Sequence, residues 1–223
     1  MIRVLIADDE ATVRAGVRAI LTTDEEIEVV AEASDGSEAV DLARRHRPDV
    51  ALLDIRMPRL DGLAAGADIV RLVPGTAVVM LTTFSEDEYI ARALSGGASG
   101  FLLKSGDPRE LIAGVRAVAD GAACLSPKVA HRVITELGRD AAGRMSRASV
   151  ARERVGGLTA REREVLGLVG AGHSNAEIGR RLHLVEGTVK AYVSSVLERL
   201  EVRNRVQAAV IAHEAGLVGD EGE

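Results

Sequence analysis

The sequence predicts a doubly wound α/β domain on a five-stranded parallel sheet, joined to a separate all-α domain of four helices. Two observations predict the first. Five short apolar runs alternate with helically spaced segments, and most of the runs are continuously apolar, as strands covered on both faces must be. One predicts the second: beyond Leu158 the strand pattern stops and helix-start signals recur.

In order, the runs are Val4–Ala7, Val29–Ala31, Val50–Leu53, Ala77–Leu81 and Gly100–Leu103. Between them, Val13, Val17, Ile20 and Leu21, then Ala39, Val40 and Ala43, then Leu111, Ile112, Val115 and Val118 keep the spacing of one helix face. Right-handed crossovers place every strand's C-terminal end on one edge, where such sheets bind ligands. Gly138–Gly157 holds four Gly, five Arg, four Ala and two Ser, which reads as an interdomain linker or a partly helical one. The later helices are expected at 160–170, 175–182, 187–200 and 205–215. Thr159 with Glu162 and Ser174 with Glu177 form capping boxes, and Asn204 with Gln207 resembles a third. The start near Val185–Thr188 lacks such a signal. Two short helices with a tight turn suit a helix-turn-helix. The expected division is 1–125, a helix or linker at 126–157, a helical domain at 158–217 and an acidic tail at 218–223.

Composition narrows the function. With 47% hydrophobic and 28% charged residues the chain is globular, and no apolar run reaches the length of a membrane helix. The start turns acidic too early for a secretory signal, and a single cysteine, Cys124, excludes an internal disulfide, so the expected address is cytoplasmic. Two Phe, two Tyr and no Trp argue against base-stacking single-strand binders. The net charge of −6 is uneven: −7 over 1–130, +3 over 131–155, +1 over 156–215 and −3 over 216–223, so only the back half tolerates a polyanion.

The strand ends carry the chemistry. Asp8-Asp9 follow the first strand, Asp54 the third, Thr82-Thr83 the fourth and Lys104 the fifth. Three carboxylates on one edge repel unless a cation holds them, and hard oxygen donors suit Mg²⁺. With a hydroxyl and an amine beside them they describe a phosphoryl pocket with a carboxylate nucleophile. Taken singly, Asp8-Asp9 also fit a helix N-terminal charge pair, Thr82 an ordinary strand residue, Lys104 an exposed strand end, Phe101 a core residue and Pro58 with Gly62 a plain turn. Asp54 fits no such reading, because an acid closing a buried strand needs compensation.

Residues 1–125 resemble the receiver domain of two-component response regulators, a flavodoxin-like fold, through D-D at 8–9, D-x-x-M-P-x-x-D-G at 54–62, T-T at 82–83 and G-F-L-L-K at 100–104. The resemblance implies that Asp54 accepts phosphate from a histidine kinase. It implies that Asp9 and Asp54, with Asp8 nearby and the backbone carbonyl of Arg56, hold Mg²⁺. It also implies that Thr82 and Lys104 contact the phosphoryl oxygens, and that Phe101 is the aromatic switch residue. Residues 158–217 resemble the C-terminal domain of NarL/LuxR-type regulators through L-T-A-R-E-R-E-V-L (158–166), S-N-A-E-I (174–178), E-G-T-V-K (186–190) and R-N-R-V-Q-A-A-V (203–210). Two positions depart from that family: Val185 where Ser is common and Tyr192 where His is usual.

On the 187–200 helix, Val189, Val193, Val196 and Leu200 form a core stripe, leaving Lys190, Ala191 and Ser194 for the DNA major groove. Thr188, Arg203, Arg205 and the helix start at Ser174-Asn175 are candidate phosphate contacts. Arg161 and Arg163 alternate with Glu162 and Glu164 as expected surface ion pairs. Val206, Ala209, Val210 and His213 on the last helix are dimerisation candidates by family likeness, or bundle core.

The expected function is a non-enzymatic response regulator that binds double-stranded DNA as a phosphorylation-favoured homodimer and has a histidine kinase as its partner. Three rivals stand beside it. One is a receiver whose output recruits protein, and one a constitutive unphosphorylated receiver. The third is a Mg²⁺-dependent aspartate-nucleophile phosphatase of the haloacid dehalogenase kind, disfavoured because Arg56 stands where its second acid belongs.

Overall fold

The computed structural model describes residues 1–82, 89, 92–93, 96–104, 107–125 and 144–218. Thr83, Phe84, residues 126–143 of the expected helix or linker and the end of the acidic tail lie outside the described residues. The chain divides into two compact units, Met1–Ala119 with Cys124–Arg132, and Asp120–Ala123 with Val133–Glu223.

The first unit runs β1 (Ile2–Ala7), α1 (Ala11–Leu21), β2 (Ile27–Ala33), α2 (Gly36–His46), β3 (Val50–Asp54), α3 (Gly62–Leu72), β4 (Ala77–Thr82), β5 (Gly100–Leu103), α4 (Pro108–Ala119) and β6 (Cys124–Leu125). All strand pairs are parallel in the order β2-β1-β3-β4-β5-β6. The five expected strands are present, and the two-residue β6 extends the edge beyond β5. β3 is buried throughout, whereas the edge strand β2 is only half-buried, which is why its apolar run was the shortest. One face of the sheet sends Val4, Ile6, Val50, Leu52, Val79, Leu81 and Leu102 against α1 and α4. Alternation sends Leu5, Leu53, Met80 and Phe101 to the other face; α2 and α3 pack on each other.

The register places the chemistry. Ala7 pairs with Leu53, Asp54 with Leu81 and Thr82 with Leu103, so the residues that close β1, β3, β4 and β5 share one edge.

The second unit contains α5 (Arg144–Gly156), α6 (Ala160–Gly170), α7 (Asn175–Leu182), α8 (Glu186–Arg199) and α9 (Arg205–Ala215). The stretch expected as helix or linker therefore supplies α5, and its Ala151 and Val155 join the same core as Val165, Leu166, Ile178, Val189, Val196 and Leu200. Thr159 and Ser174 cap α6 and α7 in the expected boxes, and Asn204 accepts from the Gln207 N–H at the start of α9. Among the described residues no helix is long and apolar enough to cross a membrane.

Candidate functional site

The first site sits on the carboxyl edge of the sheet. Asp8 is fully buried, and its Oδ1 accepts the Glu10 backbone N–H at 2.9 Å just before α1. It thus shapes the helix entry, as a helix-start acid would, while its other oxygen turns to Lys104. Lys104 is no exposed strand end: its Nζ lies 2.8 Å from both Asp8 Oδ2 and Asp54 Oδ1, with only 11% of the side chain exposed. Asp9 is exposed at the rim. Ligand oxygens of Asp8, Asp9 and Asp54 all lie within 4.8 Å of one another, a hard-donor set of the kind that holds a divalent cation.

Burial, reinforced by the Asp8 charge, raises the pKa of Asp54 above the usual carboxylate value against the opposing pull of Lys104. Burial works against the Lys104 ammonium as well, but its hydrogen bonds and charge contacts with Asp54 and Asp8 prevail and raise its pKa. Thr82 is buried at the end of β4, and the Lys104 backbone N–H donates to its carbonyl at 3.0 Å. Phe101 is completely buried. Arg56 is exposed and lines, with Asp9, Met57, Pro58, Asp61, Leu63 and Tyr89, a cavity of about 420 Å³ beside the acids.

The β3–α3 loop is held onto the site by Gly62. Its N–H donates to the Ile55 carbonyl at 2.9 Å, and a Cβ at this position would stand 1.8 Å from the Asp54 carbonyl oxygen. Only a residue without a side chain lets the loop press this closely. Sequence reasoning missed Arg14, whose guanidinium donates to the Asp8 carbonyl at 2.6 Å. Nothing in an arginine on an exposed helix turn signals that contact.

The second site is on α8. A three-residue turn, His183 to Val185, joins α7 to α8; His183 adopts a left-handed conformation (φ 54°). Gly179 lets the turn close, since a Cβ there would lie 2.7 Å from the Leu184 carbonyl oxygen. Val189, Val196 and Leu200 are buried and Val193 packs against them, while Lys190, Ala191 and Ser194 are exposed and Thr188 is half-exposed. Lys190 Nζ pairs with Glu186 Oε1 at 2.9 Å. Val185 makes no side-chain cap and stands 73% exposed. Val185→Ser is expected to stabilise the helical unit by about 1 kcal/mol through the restored cap, measured as a raised thermal midpoint; an unchanged midpoint would mean that another group already satisfies the first turn.

Several expectations are corrected here. Arg205 is not a phosphate contact: it is buried, donates to Asn175 Oδ1 at 2.9 Å and to the His173 carbonyl, and burial pulls its pKa down to about 10. The Ser174 and Asn175 side chains serve the cap and Arg205 rather than offering themselves to a phosphate. Glu162 is a buried cap acid, not a surface partner, and Arg163 donates to the Leu158 carbonyl; of the expected surface pairs, Arg161 with Glu164 forms, at 2.6 Å. Val206 is buried and Ala209 packs on the bundle core, so the expected dimer stripe keeps only Val210, half-buried, and His213, exposed. Arg203 is exposed as expected. Arg205→Ala is expected to lower the stability of the helical unit by roughly 1–3 kcal/mol, because Asn175 and the His173 carbonyl lose a buried partner. Thermal unfolding checks this; a variant that melts like the wild type would mean that water replaces the guanidinium.

A parallel sheet that gathers buried acids, a lysine and a threonine at one edge, in a chain that goes on to a helix-turn-helix unit, is the construction of a two-component response regulator. Residues 4–116 match the response regulator receiver domain and residues 157–212 the luxR family of bacterial regulatory proteins. The chain belongs to the response regulators with a LuxR-type DNA-binding domain. It is 39% identical to the transcriptional regulatory protein DegU of Brevibacillus brevis, over 97% of this chain and 95% of that one. It is 38% identical to LiaR of Bacillus subtilis (strain 168), over 98% and 100%. Among solved structures it is similar to the response regulator ChrA of a heme-sensing two-component system, at 34% identity, 97% and 98% coverage and a TM-score of 0.53. It is also similar to the receiver domain of a putative response regulator NarL of Mycobacterium tuberculosis, at 38% identity, covering 54% of this chain and 97% of that one, with a TM-score of 0.52.

Proposed function

We propose that this protein is a cytoplasmic, phosphorylation-controlled transcription regulator whose trigger is Asp54. The observation that carries the reading is the lysine held 2.8 Å from both Asp54 and Asp8 at the sheet edge. An Asp54 carboxylate oxygen attacks the phosphorus of a kinase phosphohistidine, the P–N bond breaks, and the imidazole leaves with the electron pair. Lys104 then follows the phosphoryl oxygens, and Thr82 offers its hydroxyl. Asp8, Asp9 and Asp54, with the backbone carbonyl of Arg56, would hold a magnesium ion; bound there, it neutralises charge on the phosphoryl oxygens. The buried Phe101 and Thr82 relay the change as a two-state shift. No catalytic turnover is assigned: a phosphatase would need a second acid at position 56, which is Arg.

The output is double-stranded DNA. Lys190, Ala191 and Ser194 face the major groove, Thr188 and Arg203 the phosphates, and phosphorylation favours a homodimer with Val210 and His213 as the remaining pairing residues. The small positive charge of residues 156–215, +1, gives weak single-site attraction, so two-fold pairing supplies the rest. The test is to retain genomic fragments on the phosphorylated protein and sequence them. A shared, repeated half-site whose retention falls steeply with salt is expected. Retention of no fragment would overturn this output and favour the protein-recruiting one.

A further inference from the structure

A capping box needs one carboxylate oxygen, and Glu162 uses Oε2 for it, accepting from the Thr159 N–H and hydroxyl at 2.8 Å each. Its second oxygen leaves the helix altogether. Oε1 accepts the Ser195 hydroxyl at 2.8 Å and lies 3.4 Å from the Arg199 Nε. Ser195 and Arg199 are one turn apart on α8, on a stripe beside the exposed Lys190, Ala191 and Ser194. Arg199 also donates to the Gly157 carbonyl at 3.0 Å. Glu162 itself is buried, 5% exposed, and the Thr159 N–H, the Ser195 hydroxyl and the Thr159 hydroxyl hold its pKa below the usual value.

We infer that Glu162 is a positioning residue for DNA reading: through Ser195 and Arg199 it fixes the rotation of α8 about its own axis. The inference rests on the reading of α8 as the DNA-contacting helix. Valine packing is non-directional and tolerates small rotations, whereas a hydrogen bond from a side chain on the helix flank does not. Ser195 and Arg199, one turn apart on the same flank, both meet Glu162 Oε1, so turning the helix would stretch both contacts together. At a side-chain radius of ~5 Å, a turn of roughly 20° moves a reading atom by about 2 Å, enough to break a base contact.

The experiment uses the full-length phosphorylated protein, a duplex carrying a genomic fragment it retains, and a scrambled duplex of the same length at the same salt. Ser195→Ala leaves the Thr159–Glu162 cap in place and removes the shorter of the two ties. The ratio of the two affinities is expected to fall about tenfold, the worth of one lost base-reading contact. Ser195→Thr is expected to restore it, and Ser195→Ala is expected to lower the melting temperature modestly, because the buried Glu162 Oε1 keeps only its Arg199 contact. Arg199→Ala provides a second variant should Ser195→Ala fail to fold. Losing a phosphate contact there would weaken both duplexes equally and leave the ratio alone, whereas losing the anchor lowers it. An unchanged ratio in folded Ser195→Ala overturns the inference, even if the variant melts earlier. A wild-type protein that does not prefer its own fragment overturns the DNA reading of α8 first, and the inference with it.

Discussion

Asp54→Asn is expected to take no phosphoryl group from acetyl phosphate and to bind its genomic fragment equally with and without the donor. Wild type is expected to gain about 5–150-fold in affinity from the same treatment, the usual span of coupling between two sites. The substitution is nearly isosteric, so it removes the nucleophile without opening a cavity. It also removes one of two acids crowded onto Lys104, leaving the Lys104–Asp8 contact in place. Stability should therefore hold or rise, since Asp54 is burdened by its own burial and by Asp8. A thermal melt beside the phosphorylation assay separates loss of the trigger from loss of the fold. A donor that still strengthens binding in the variant would place the trigger on another residue.

The second large effect belongs to a residue that performs no chemistry. Gly62→Ala would set a Cβ 1.8 Å from the Asp54 carbonyl oxygen and 2.8 Å from its carbon. Both are backbone atoms of a central strand and have no rotamer to yield. The cost is expected at about 3 kcal/mol, the upper end for overpacking. Whatever shifts to relieve the clash moves Asp54, so phosphorylation is expected to slow as well if Asp54 is the trigger proposed. Gly16→Ala is the matched control: it lies within α1 with nothing inside 4 Å of the added methyl, and is expected to stabilise by about 0.5–1 kcal/mol. Chemical denaturation of the two variants reads the contrast. A Gly62→Ala protein as stable as wild type would mean that the loop can lift away from β3.

Much of this architecture was legible because its signals are local. Val50–Leu53 is apolar at every position because β3 is buried on both faces, and Thr159, Ser174 and Asn204 announce helix starts through side chains within three residues of the N–H groups they cap. The convergence of Asp8, Asp54, Thr82 and Lys104 followed from strand ends and parallel pairing alone. What stayed hidden depends on through-space partners. Arg205 looks like any surface arginine just past the helix expected to read DNA until Asn175, thirty positions away, is found beneath it. Glu162 sits among alternating charges that suggest a solvated face, yet it is buried against α8. Residues 144–156 hold few large apolar side chains, and the pattern gave no sign that Ala151 and Val155 would join the core of the helical unit.

That last feature bears on how the output half is isolated. Excising a fragment at Leu158, the first residue of the recognisable motif, would strip α9 of the neighbour that α5 provides and bare an aliphatic strip to water. The smallest self-sufficient helical piece thus begins no later than Arg144, because the segment ahead of the recognisable motif serves as hydrophobic cladding for the final helix.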